Sequence, residues 1–196
     1  MGNYCSAAAL VLAGACLTAQ LWAEDAPIID ADTIVKKLVA KGDFDGLVIQ
    51  LAAERDQLVE RVIKILTDRT LDEEVRVNAA RVLGIIREKK AVPALLDNMS
   101  LTPVIGPVSG PSPRYCVLAL IKTGIPASRA ALEKVASEGE DRARRWLVYV
   151  IHEVEGYPVA RFLLQERLKA SLDKNRENVQ AALEFLDVLE GNKRDK

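Results

Sequence analysis

From Ala31 onward the chain places an apolar residue at every third or fourth position, in short blocks separated by brief polar breaks. That spacing lines one face of a helix, and no stretch keeps the period of two that a half-buried strand needs. Such stripes can be buried only by packing helix on helix. The spacing predicts helices over 32–41, 44–53, 56–68, 73–87, 91–99, 113–123, 127–138, 141–155, 158–171 and 175–190. Composition agrees: aromatics make up 5% of the 196 residues, while alanine, leucine and valine dominate. That mix favours close helix contacts over strands. Asp72 stands where it can cap the following helix, and Glu73 and Glu74 complement its N-terminal dipole. Pro93 and Pro158 fall in first turns, and Gly124, Gly139 and Gly156 fall where the chain leaves helices.

The blocks also resemble one another. When Val75–Leu96 is written above Ala143–Leu164, Val75 meets Ala143, Arg76 meets Arg144, Leu83 meets Ile151, Val92 meets Ala160 and Leu95 meets Leu163. Ser112–Leu132 aligns more loosely, with Pro113 at the arginine place, and Asp56–Leu66 reads as the second helix of an earlier pair. The period is roughly 30 to 40 residues, the range of helical solenoids.

The segment "DEEVRVNAARVLGIIREKKAVPALLDNM" has Val75-Arg76, Ala79-Ala80, Leu83-Gly84, and Ala91-Val92-Pro93 before Leu95-Leu96. It resembles a HEAT repeat of the short bacterial type. The resemblance implies an all-α fold, a right-handed α–α superhelix of about ten helices in four to five antiparallel pairs spanning 32–191. Ala79 and Ala80 would let two helices approach closely. Val75, Val82, Leu83 and Ile86 would cover one face, and Val92, Leu95, Leu96 and Met99 another, so neighbouring pairs must stack on both. The last helix presents Val179, Ala182, Leu183, Leu186 and Leu189 on one side and reads as a cap, with 192–196 as a tail.

The first charged residue is Glu24, and the apolar run Ala7–Ala19 has the length of a signal-peptide core, although no Lys or Arg precedes it. Residues 1–23 read as a signal cleaved after Ala23 or after Ala19, with 24–31 as a linker and a periplasmic or secreted location. The alternative is a membrane-anchored lipoprotein: "AGAC", Ala13–Cys16, is a degenerate processing site that would leave Cys16 to carry the lipid, the chain's sole tie to a membrane.

Candidate chemistry is sparse. A formal net charge of -1 gives no general attraction to nucleic acid. His152 is the single histidine, and neither it with Glu153 and Glu155 nor any cysteine pair forms a metal-ligand pattern; a solvated or partly packed histidine is the expectation. Cys116 lies among apolar residues and reads as a buried inert thiol. No glycine-rich phosphate loop or nucleophile motif stands out, so the sequence points to no catalytic residue, no metal and no cofactor. The arginines near helix starts, Arg76 and Arg144 among them, read as bonds to the neighbouring repeat.

These readings point to a non-enzymatic, exported, protein-binding scaffold whose partner is another protein. The contact candidates are polar positions on second helices that the apolar stripe leaves out: Asp97, Arg129, Glu133, Arg161 and Gln165. Val104, Ile105 and Val108 of the proline-rich insertion 100–113 join them. Two other functions stay open: a lyase or chaperone acting on a chromophore protein, which the HEAT resemblance implies because bilin lyases carry such repeats, and a nucleic-acid-binding helical repeat protein.

Overall fold

Helix starts and stops set the architecture. A computed structural model describes residues 55–101 and 114–194. The expected helices at 32–41 and 44–53, the signal and linker segments, Cys16, and loop residues Val104, Ile105 and Val108 lie outside them. Among the described residues there are eight α-helices and no strand. They are α1 (Arg55–Thr67), α2 (Glu73–Ile86), α3 (Val92–Asp97), α4 (Tyr115–Thr123), α5 (Ile125–Ser137), α6 (Asp141–Glu155), α7 (Tyr157–Ala170) and α8 (Asp173–Arg194). All belong to one unit, Val35–Lys196.

Most boundaries follow from local chemistry. Gly124 and Gly156, at φ 79° and 76°, each end one helix and begin the next as a one-residue junction, a conformation that costs glycine little. Pro93, Pro126 and Pro158 occupy the first two positions of α3, α5 and α7, where a missing amide hydrogen is tolerated. Two expectations change. Asp72 stands at the N-cap of α2 but makes no side-chain cap bond; its carbonyl accepts from the Arg76 N–H at 3.2 Å. The helix expected over 91–99 is a 3-10 turn (Lys89–Ala91) followed by the short α3. There the Glu88 side chain accepts from the Lys90 N–H and tightens the entry.

The helices form two rows. In one, α2 packs on α4, α4 on α6 and α6 on α8; in the other, α1 packs on α3, α3 on α5 and α5 on α7. The rows are joined where each second-row helix meets the next first-row helix: α1 with α2, α3 with α4, α5 with α6, α7 with α8. These packed helix pairs make an all-α solenoid of HEAT-like form. Its core is one continuous cluster running from Val59 and Val62 through Leu83, Leu95, Leu120 and Val135 to Leu147, Leu164 and Leu186. The last helix covers that end with Val179, Ala182, Leu183 and Leu186 buried and Leu189 packed against them.

The α2–α4 contact is close. Ala79 and Ala80 are fully buried, and a Cβ built on Gly84 would stand 2.8 Å from both the Cα and the Cβ of Ala119. Those atoms belong to backbone and a short side chain that cannot swing away. In an open helix Gly84→Ala would add stability, since alanine is the better helix former. Here the clash reverses the sign, and Gly84→Ala should lower stability by about 1–3 kcal/mol. Urea unfolding followed by circular dichroism checks it, and Ala119→Gly in the same chain should restore only part of the loss.

Candidate functional site

The arginines at repeat junctions are the most organised polar feature. Arg76, in the first turn of α2, donates through Nε to the Leu66 carbonyl at 3.0 Å and through Nη2 to Asn98 Oδ1 at 2.7 Å. Asn98 in turn donates to the Ala94 carbonyl. Arg144, at the start of α6, repeats the device: Nη1 donates to the Glu138 carbonyl at 3.1 Å and to Asn178 Oδ1 at 2.8 Å, while Asn178 donates to the Ala136 carbonyl. Each guanidinium thus satisfies orphan carbonyls at the end of the preceding second-row helix. The expected bond to a neighbouring repeat is present at both sites.

In the middle repeat the junction arginine stands one residue later than the alignment places it. Arg114, not the place of Pro113, supplies its junction arginine, donating from Nη1 to the Met99 and Ser100 carbonyls, both at 3.1 Å. Only 8% of Arg114 is exposed, and its pKa is lowered by burial first, then by the like charge of Arg142, with Glu140 opposing. The position before a helix start, rather than strict alignment, is the signal that would have found it.

Three further arginine–ring contacts link successive first-row helices. Arg81 of α2 lies over Tyr115 of α4 at 5.0 Å, Arg114 over Trp146 of α6 at 5.1 Å, and Arg145 of α6 over Phe185 of α8 at 5.3 Å. Each is a cation–π contact worth about 0.5–2 kcal/mol. A cleft of about 280 Å³ opens beside the second of them, between Met99, Ser100, Glu140, Arg142 and Trp146.

The sequence-chosen contact residues fall on second-row helices, as intended, but three are engaged in ion pairs between helices. Asp97 of α3 pairs with Lys134 of α5 at 2.6 Å. Glu133 of α5 pairs with Arg167 of α7 at 2.8 Å, and Arg161 of α7 with Asp187 of α8 at 3.3 Å. Arg129 is exposed on α5, and Gln165 is half-buried on α7. The structure therefore distributes these five residues along the row rather than gathering them at one point. Sequence reasoning missed the exposed apolar residues of the same row, Ile125, Val159 and Phe162.

The reactive groups are enclosed. Cys116 is fully buried, and desolvation pushes its thiol up to about 12, with Arg76 opposing weakly, so it stays protonated at neutral pH. His152 is not solvated: it is 4% exposed, with Nδ1 3.0 Å from Glu153 Oε1 and Nε2 3.8 Å from Glu190 Oε2. The adjacent glutamate reaches the ring although neighbouring helix positions point in different directions. Among the described residues no group of three or more His, Cys, Asp or Glu could hold a metal ion. Buried Ser128 donates to Glu155 Oε1 at 2.7 Å, a bond between α5 and α6 that the sequence did not suggest.

Two rows of packed helices with repeated junction arginines define the class: a helical-repeat solenoid. Residues 75–100 match the family model described as PBS lyase HEAT-like repeat, which spans most of α2, the 3-10 turn and α3. With the all-helical pairs stacked beside that unit, the match supports a HEAT-like repeat protein. No curated protein matches the chain. No helix among the described residues is long and apolar enough to cross a membrane.

Arg76→Ala removes both junction bonds and leaves the Leu66 carbonyl and Asn98 side chain to find new partners. The expected loss is about 1–3 kcal/mol. Arg76→Lys should recover little of it, because a single ammonium nitrogen replaces the two separated guanidinium nitrogens that reach the carbonyl and the amide oxygen. Chemical unfolding of the two variants beside the wild type measures both numbers.

Proposed function

We propose that this chain is a non-enzymatic, protein-binding scaffold of HEAT-like repeats that works outside the cytoplasm. The binding reading is carried by large apolar side chains facing water on the second row. Ile125 of α5 is 61% exposed and Phe162 of α7 is 58% exposed, with Val159 one turn before it and Arg161 beside it. An aromatic ring next to arginine, on a helix fixed by its neighbours, is the side-chain mixture that the energetic centres of protein interfaces favour. The non-enzymatic reading draws support from Cys116 and His152, which are buried and therefore poorly placed to meet a substrate.

Affinity capture from an envelope fraction tests the binding reading. The wild-type chain should enrich a partner, and Phe162→Ala together with Arg129→Glu should reduce its recovery by about tenfold, a hot-spot-sized effect. Both side chains are exposed, so the fold should survive. No enriched partner, or equal recovery by the variant, counts against this function.

The location rests on the apolar run Ala7–Ala19 and is tested separately. Mass spectrometry of the native N-terminus should find a chain beginning at Glu24 or Gln20, or one acylated at Cys16 if the lipoprotein route operates. An unprocessed Met1 or Gly2 start refutes export by either route.

A further inference from the structure

We propose that the groove between α2 and α4, on the first-row side of the solenoid, docks an acidic segment of a partner protein. An apolar side chain of that segment sits between Ile85 and Leu118. This rests on the protein-binding reading only in taking the partner to be a protein; it concerns a different row of helices.

The groove exists because the two helices nearly touch at Gly84 and Ala119, which form its floor. Ile85 and Leu118 flank it and remain 43% and 40% exposed. Arg81 and Lys122 also line it, together with Tyr115, and among the described residues no carboxylate does. The Arg81 guanidinium lies 5.0 Å over the Tyr115 ring, so the cation is held against the groove wall rather than trailing into solvent. The volume, about 190 Å³, is below the usual range for a cofactor or metabolite pocket but suits one or two inserted side chains. Two cations around an apolar slot complement carboxylates around an apolar anchor. Nucleic acid fits less well, because the Tyr115 face, the one aromatic face among the described lining residues, is covered by Arg81, and Ile85 and Leu118 are aliphatic.

Fluorescence anisotropy of the full chain with a fluorescein-labelled peptide of Glu and Asp around one central leucine tests the assignment. The peptide should bind, and raised salt should weaken binding. Replacing its acids by lysine, or its leucine by serine, should each reduce affinity by about tenfold. Leu118→Asp and Lys122→Glu in the protein should do the same; both positions are exposed, and unchanged helicity by circular dichroism confirms that the variants fold. Phe162→Ala with Arg129→Glu should leave peptide affinity unchanged. Equal binding of acidic and lysine peptides, no binding, or indifference to Leu118→Asp overturns the proposal. So does tighter binding of oligothymidylate, or self-association in sedimentation that Leu118→Asp abolishes. If the peptide fails while Phe162-dependent capture persists, this proposal falls alone; if the peptide binds and capture fails, the second-row reading falls alone.

Discussion

Gly84 and Ala119 bring α2 and α4 so close that a single added methyl group would overlap backbone. Ala79 and Ala80 on the same helix are also fully buried, so α2 meets its neighbours with little side-chain bulk. A repeat built on small residues gains dispersion contact between backbones and loses adaptability, since there is no long side chain to repack. The larger residues that flank the contact, Leu83, Leu120 and Val117, can then fill the space on the core side. On the outer side the same close approach leaves a slot between Ile85 and Leu118 among the described residues.

Close approach sets distance but not direction, and direction is the task of the junction arginines. A second-row helix ends with carbonyls that have no partner in the helix. Arg76, Arg114 and Arg144 reach back to those carbonyls from the start of the next first-row helix. A planar guanidinium with several donors can bond a carbonyl and an asparagine amide at once, which ties the angle between consecutive repeats to the helix end itself. The arginine–ring contacts act beside these bonds from one first-row helix to the next, at Tyr115, Trp146 and Phe185. Polar and apolar restraints therefore act at the same joints, and the repeat angle does not depend on either alone.

Periodicity made the helices legible because each buries apolar residues that recur every three or four positions. Asp141–Glu155 has the bounds the spacing predicts, since Glu140 and Gly156 both interrupt the stripe where the helix stops. Proline and glycine placed α5 and α7 to within two residues. The misses share a cause: they depend on what a side chain finds across a junction. Asp72 has a capping residue's identity, yet its side chain makes no cap bond. Arg114 does the work of the junction arginine although proline stands at the aligned place, because a long side chain can reach the same carbonyls from one residue further on. His152 sits on a helix rich in charge but turns inward, where Glu153 and Glu190 surround it. For surface residues helical phase identified the row but not the pairing of Asp97, Glu133 and Arg161, which requires the neighbouring helix to be in place.

Those pairings bear on how such a row could meet a partner. Asp97 with Lys134, Glu133 with Arg167 and Arg161 with Asp187 run from α3 to α8, each bridging two helices at the surface. Exposed ion pairs contribute on the order of 0–1 kcal/mol each, far less than the core beneath them. The stack would hardly loosen if a partner's charges replaced one member of a pair. Their charges are nonetheless pre-positioned by the helices, so little side-chain entropy remains to be lost on binding. Lateral ion pairs on this row thus form a surface whose polar contacts are exchangeable at small cost, and the exposed apolar side chains Val159 and Phe162 stand on the same row.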